Sequence, residues 1–290
     1  NFATAEAEPD NLVAIRTYRG LVYLFGTKIV EVWTQTGDST NAFVSTGRTI
    51  PNGLIGRNAV TVSDDAVFMV ANSGQVLRID GTQRQRVSTY WLESVIKGLS
   101  KANQQRVSLS TFQWQGHEFI RVNVPGVGNW NYDLTTGFWH RARSLRQDTH
   151  RVSDFVNAFG KTYAFGDGVY TLSATTFKEH NDEVRRVAEA IIPVDDRRPS
   201  IDRLTIYTSA SNVPMFGQGS APVAWLQIAT DTQRFSNEIE RSLPIAGEYA
   251  QPIVWGPLGR VRPPAAKIRL AMSDPMGITL ADAQINMVQP

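Results

Sequence analysis

Leu21-Val22-Tyr23-Leu24-Phe25, Ala66-Val67-Phe68-Met69-Val70, His117-Glu118-Phe119-Ile120-Arg121-Val122 and Lys161-Thr162-Tyr163-Ala164-Phe165 are runs of strand-forming residues, each built around an aromatic side chain. The steps from Tyr23 to Phe68, Phe119 and Tyr163 are 45, 51 and 44 residues. Recurrence at about 40–50 residues, with several short strands per period, is the pattern of propeller blades. A blade cannot bury both of its faces alone, so neighbours stacked around an axis supply the core. The expected fold is therefore all-β: a β-propeller of several roughly 45-residue blades.

The residues around these runs read as hairpins. Val22–Phe25 and Ile29–Trp33 are joined by Gly26-Thr27-Lys28, and Val67–Ala71 and Gln75–Ile79 by Asn72-Ser73-Gly74. Pro51-Asn52-Gly53, Asp80-Gly81 and Gly166-Asp167-Gly168 are turns by their residue chemistry. Gly126-Val127-Gly128 has no helix after it to hold a phosphate and reads as a turn. One stretch departs from this pattern. Trp91, Leu92, Val95, Ile96 and Leu99 follow helical spacing, with Thr89 as cap, Glu93 in the first turn and Gly98 at the end. A short amphipathic helix inserted near 89–99, between two blades, is expected.

Beyond residue 183 the period is lost, with an insertion at Asn212–Pro222. Val184–Val194, Leu204–Tyr207, Val223–Ile228, Ile253–Trp255 and Ile268–Met272 still read as strands. The expected organisation is a polar linker at 1–11, propeller blades at 12–183, and further blades or a β-sandwich-like C-terminal part at 184–290. The chain begins with Asn and not Met, so a fragment lacking the N-terminal region of the full protein is expected.

Composition removes several classes of function. The 290 residues are 42% hydrophobic, yet no run approaches the roughly 20 apolar residues of a membrane span. With no cysteine, disulfides and thiolate metal centres are excluded. A net charge of +2 is too small for a general nucleic-acid binder. The 23 Arg against 6 Lys are uneven. Arg is favoured at interfaces and in bidentate contacts, although genomic base composition produces the same bias.

No catalytic constellation emerges. His117, His140, His150 and His180 share no metal-ligand spacing and read as structural polar residues. No nucleophile elbow, Walker loop or dinucleotide fingerprint is present. Thr230–Ser236 lies where an Asp-box turn of a propeller glycosidase would fall, but lacks its glycine and tryptophan. The other carboxylates are scattered through turns, where they bond their own backbone. No catalytic residue, metal site or cofactor is expected. The candidate channel or interface residues are Arg84, Arg86, Arg141, Arg143, Arg146, Arg197 and Arg198; Arg151 and the pair Arg260 and Arg262 are similarly crowded. Each can touch phosphate by charge alone, or serve in salt bridges and solvated turns. Trp33, Trp91, Trp139 and Trp255 are interface residue types that read first as core.

Four segments together resemble one family. They are Val22–Gly26 with Glu31-Val32-Trp33 and Thr36-Gly37-Asp38; Val76–Gly81 with Gln85–Thr89; Tyr132-Asp133-Leu134-Thr135-Thr136-Gly137-Phe138-Trp139-His140-Arg141; and Gly247-Glu248-Tyr249, Val254-Trp255, Leu258-Gly259-Arg260 and Ser273-Asp274-Pro275. In order and spread, these resemble the packaged-DNA stabilisation proteins of short-tailed phages, also called tail hub or nozzle proteins. Gly256-Pro257 departs from the polar or basic residues expected there. The resemblance implies a homo-hexameric virion protein made in the host cytoplasm and placed in the phage tail, below the portal and its adaptor. It would extend the DNA channel, retain packaged DNA with transient non-specific contact, and dock tail fibres, spikes or needle. The resemblance brings no catalytic residue. The rival readings are a non-viral propeller scaffold and a carbohydrate-binding or carbohydrate-hydrolysing propeller.

Overall fold

The computed structural model describes residues 9–195, 198–248 and 251–289. The chain is mainly β and divides into two compact units, at 1–172 and 173–290. The first unit is a succession of antiparallel meanders taken in chain order. β1 (Leu12–Tyr18), β2 (Leu21–Gly26), β3 (Val30–Gln35) and β4 (Phe43–Ile50) make sheet one. β5 (Val60–Val62), β6 (Val67–Val70), β7 (Val76–Asp80) and β8 (Gln83–Arg86) make sheet two. Helices α1 (Tyr90–Lys97) and α2 (Lys101–Gln104) lead to sheet three, formed by β9 (Ser108–Trp114), β10 (His117–Val124), β11 (Gly128–Asp133) and β12 (Trp139–Ala142). Sheet four has three strands, β13 (Val152–Ala158), β14 (Lys161–Gly166) and β15 (Val169–Thr171).

The four aromatic-centred runs of the sequence are β2, β6, β10 and β14, the second strand of every sheet. First strands stand beside first strands: β1 by β5, β5 by β9, and β9 by β13. Each successive pair of sheets is also bonded. Tyr23 donates its hydroxyl to Gly81 O at 3.0 Å, Trp139 its indole N–H to Val87 O at 2.7 Å, and Phe155 its N–H to Ser110 Oγ at 3.0 Å. Sheets one to three share one core, in which Tyr23, Phe25, Phe68 and Ile120 are fully buried. Phe112, Phe155, Val152 and Ala164 form a separate small core between sheets three and four. The aromatic period therefore marks strands and not equal burial. Tyr23 and Phe68 are core, but in β14 the buried residue is Ala164.

Strand β10 shows how a sheet is buried on both faces. Ile120, Val122 and Val124 join the large core, while Phe119 and Arg121, pointing the other way, meet sheet four. Its neighbours obey the same parity. Leu109 and Trp130 face the large core, whereas Ser108 and Ser110 bond β13. Asp10 anchors the opposite end of the unit. Its carboxylate accepts the N–H groups of Thr27, Lys28 and Ile29 at 2.8–3.0 Å in the β2–β3 turn. Burial works against its charge, but these bonds and the Thr27 hydroxyl bring its pKa down to about 2.

The second unit begins with a small hairpin, β16 (Lys178–Glu179) and β17 (Asp182–Glu183). β18 (Arg186–Pro193), β19 (Ser200–Ser211), β20 (Val223–Ala229), β21 (Ile239–Ser242), β22 (Pro252–Trp255), β23 (Gly259–Arg260), β24 (Ala265–Met272) and β25 (Gly277–Val288) follow. One sheet runs β18-β24-β20-β21; in the other, β19 is flanked by β22 and β23 on one side and by β25 on the other. Both contribute to a single core, with Leu226, Ile228 and Leu270 from the first and Leu204, Ile206, Ile253 and Trp255 from the second. Trp255 is fully buried and donates its indole N–H to Ile239 O at 3.0 Å.

Thr89 caps α1 and Gly98 ends it, and Leu92 and Ile96 are its buried residues, with Glu93 between them. The helix seats on the β6–β7 turn. A Cβ at Gly74, where φ is +83°, would come within 3.1 Å of Glu93 O. Glu93 lies in the first turn, as its position predicts, but it does not face water. It is 4% exposed, and its Oε1 accepts from Ser88 Oγ at 2.5 Å and from Arg86 Nε at 2.6 Å. Trp91 departs in the opposite sense. Read as core, it is 54% exposed, and its ring meets that of Trp130 edge-on at 5.4 Å. Replacing Glu93 with Ala strands the Ser88 hydroxyl and the partly exposed Arg86 guanidinium. Urea titration of Glu93→Ala is expected to show a loss of about 2 kcal/mol, below the full cost of breaking a buried pair because Arg86 retains water.

Candidate interaction surfaces

The arginines singled out by sequence do not converge on one pocket. Arg84 and Arg86 project on the same face of β8, where every residue is exposed. Arg84 bonds Asn52 Oδ1, and Arg86 is held by Glu93. Arg141, in β12, and Arg143, just after it, both reach Asp148 in the loop that follows. Arg141 Nη2 donates to Val127 O at 3.1 Å and Asp148 O at 2.9 Å, and Arg143 pairs with the Asp148 carboxylate at 3.0 Å. Arg146, in the same loop, takes a left-handed backbone conformation (φ +60°) and is exposed. Arg198 is likewise exposed at φ +51°; Arg197 lies outside the described residues. Arg151 Nε approaches Asp167 at 3.7 Å, and Arg260 and Arg262 are exposed.

Where α1 meets sheet three, the surface is aromatic and cationic. The Arg141 guanidinium lies 5.5 Å from the Trp130 ring centre, on whose indole Trp91 packs. Trp139 lies against Tyr132 at 5.1 Å. Tyr90, before Trp91 in the chain, and Phe138, before Trp139, are also exposed. Aromatic rings and Arg supply large contact area at low entropic cost, which suits protein contact. The core expectation fails for Trp91 but holds for Trp139, which packs half-buried against the large core; Phe138 and Tyr90, both exposed, are surface residues that the sequence did not single out. The signal available was position: Phe138 follows the Thr136-Gly137 turn, and Tyr90 starts the helix.

The motif Tyr132-Asp133-Leu134-Thr135-Thr136-Gly137 builds a turn. Asp133 accepts the Thr135 N–H at 2.9 Å, the Thr136 hydroxyl at 2.8 Å and His117 Nδ1 at 2.8 Å. Burial opposes its ionisation, but the bonds from Thr136, His117 and Thr135 keep its pKa below the usual carboxylate value. Asp231 makes a similar local turn with the N–H groups of Gln233 and Arg234, so Thr230–Ser236 is a polar turn. Glu118 is shifted the other way. Burial raises its pKa, and the charges of Asp64 and Asp65 add to this. Among the described residues, no group of His, Asp and Glu is arranged to hold a metal ion.

The most unusual buried cation is Arg121, 2% exposed. Nε donates to Asn131 Oδ1 at 2.5 Å, and Nη1 donates to Val152 O at 2.7 Å and meets His150 Nδ1 at 3.3 Å. The guanidinium also lies 4.9 Å from the Phe155 ring centre. Asn131 Nδ2 meets His140 Nε2 at 2.8 Å. Burial first and the Arg121 charge second depress the pKa of both histidines, that of His150 to about 4. In the folded chain His150 is thus neutral where the unfolded chain, near 6.5, already takes up a proton. Stability is expected to be flat above pH 6.5, to fall from there to about pH 4, and to lose nothing further from this group below that. In His150→Asn, which keeps a neutral hydrogen-bonding group, urea midpoints across this window should flatten. An unchanged slope would assign the effect elsewhere.

With this geometry in view, relatives can be compared. Over 98% of its length the chain is similar to Tail hub protein gp10 of Salmonella phage P22, at 21% identity over 307 aligned residues. It spans 62% of the length of that relative. Among solved structures, it aligns with a GH43 glycoside hydrolase engineered for endo-xylanase and exo-arabinofuranosidase activity (10% identity, 96% of this chain and 87% of that one, TM-score 0.31). It also aligns with a GH43 arabinoxylan arabinofuranohydrolase of Bacillus subtilis (9%, 94% and 77%, TM-score 0.29). Superpositions that loose carry no argument about fold or chemistry. The family model described as Bacteriophage P22 Gp10, beta-propeller matches residues 1–176, more than half of the chain, and the chain belongs to that phage-stabilisation family.

Proposed function

We propose that this chain is part of a structural protein of the phage tail, a hub or nozzle subunit of a short-tailed phage with no catalytic role. The observation that carries this reading is the family match over residues 1–176, the part of the chain that folds as consecutive small meanders. We read those meanders as propeller blades, with their first strands toward the axis and α1 inserted between the second and third. The C-terminal unit is read as a β-sandwich, because two sheets share one core there.

In this account six copies form a ring below the portal and its adaptor. The ring extends the DNA channel, retains the packaged genome, and docks fibres, spikes or needle. A conduit for a pressurised polyanion must not grip it, and a net charge of +2 with dispersed arginines suits that role. Most of those arginines are already committed to protein partners. Arg146 and Arg198 are the exposed cations best suited to weak, sequence-independent phosphate contact. Rigid sheets carrying variable loops give several docking faces, of which the cluster of Trp91 and Arg141 over Trp130 is the best candidate for a tail appendage.

Particles assembled without the full-length protein are expected to package DNA and then lose it, becoming sensitive to nuclease. Adding the protein back should restore retention. DNA-filled, infectious particles made in its absence would overturn the reading. Trp91→Ala, at a half-exposed site, is expected to shift the melting temperature by less than about 4 °C while reducing appendage attachment.

A further inference from the structure

Sheet four is attached to the first unit differently from the sheets before it. Sheets one to three share one continuous core, whereas sheet four meets sheet three around four buried apolar residues, Phe112, Val152, Phe155 and Ala164. Much of the remaining seam is polar. Ser108 Oγ donates to Asp154 Oδ1 at 2.8 Å, Ser110 Oγ accepts the Phe155 N–H at 3.0 Å, and Asn129 Oδ1 accepts the His150 N–H at 2.9 Å. A part with a small core of its own can open while the remainder stays folded.

His150 stands at the entry to β13, where the chain passes from sheet three into sheet four. Its Nδ1 lies 3.3 Å from Arg121 Nη1, 3.2 Å from Val152 N and 3.1 Å from Val152 O. The first two are donors and suit an unprotonated Nδ1. A proton on that atom confronts both of them. The carbonyl it could reach, Val152 O, already accepts from Arg121 Nη1 at 2.7 Å. The imidazolium would also stand beside a guanidinium that is 2% exposed, where water screens the repulsion poorly. The other charges around the site are divided. Arg151, on the same segment, adds to the repulsion, and Asp167, in the β14–β15 turn, opposes it but lies 3.7 Å from Arg151. Asp154 of β13 is turned to Ser108, and His140 of β12 reaches Arg121 through Asn131.

We infer that sheet four is a latch released by acid: a proton taken up by His150 beside Arg121 frees β13, β14 and β15 from sheet three while sheets one to three stay folded. Release uncovers Phe112 and Phe119 on one side of the seam and Phe155 on the other. The loss of stability in acid is therefore local before it is global.

Hydrogen exchange of the full-length protein, read peptide by peptide from pH 7.5 to 4.5 and corrected for the intrinsic pH dependence of exchange, tests this. Opening of β13 to β15 is expected to rise about thirtyfold between pH 7.5 and 5, the ratio set by a His150 pKa of 6.5 when open and about 4 when closed. Protection in β2, β6 and β10 should hold over the same range. His150→Asn and His150→Gln, two neutral hydrogen-bonding replacements, are each expected to flatten the sheet-four profile. Sheet four opening no earlier than sheets one to three would overturn the latch, as would a rise that begins only below pH 4.5. An unchanged slope in the neutral variants would overturn the role of His150. Should neither variant fold, the order and onset of opening in the wild-type chain still decide.

Discussion

The first unit depends on the inability of a three- or four-stranded sheet to bury itself. Each sheet is too small to hold a core, so each must cover its neighbours' faces and be covered in turn. That requirement explains why first strands lie beside first strands. It also explains why the bonds between sheets recur from pair to pair, from the Tyr23 hydroxyl on Gly81 O to the Trp139 indole on Val87 O. Sheet three shows the consequence most fully, with Ile120 and Val122 packed on one side and Phe119 and Arg121 on the other.

The contact between sheets three and four is not an ordinary apolar seam. Ser108, Ser110, Arg121 and Asn131 are all buried there beside a stack of Phe112, Phe119 and Phe155. A cation removed from water must be bonded on all sides, and Arg121 is supplied by Asn131, Val152 O, His150 and the Phe155 ring. Such a network adds little net stability compared with aliphatic packing. It accepts a single arrangement of the sheets, because any shift leaves a buried donor unmatched.

Much of this was legible in the residues. The aromatic period located the second strand of each sheet, and the turn chemistry around Gly74, Gly126 and Gly137 located the hairpins. Helix α1 was readable from its spacing and its Thr89 cap. What escaped was burial. Alternation in Arg121-Val122-Asn123-Val124 marks a strand, but a polar face looks the same whether water or another sheet covers it. Trp91, read as core, is exposed and Glu93 is buried for a related reason: helical periodicity places side chains around an axis without saying which neighbours meet them. The arginines could be counted in sequence, but their commitments to Glu93, Asp148 and Asn52 depend on folding.

Family membership and the run of small meanders in the first unit are the two supports of the structural role proposed for this chain. The measurement that tests this most directly is an electron cryomicroscopy map of the full-length protein in its assembled state. The account predicts a six-fold ring in which the four sheets of the first unit radiate from a common local axis, with β1, β5, β9 and β13 innermost. Sheets stacked as flat layers, with those strands at the periphery, would contradict it.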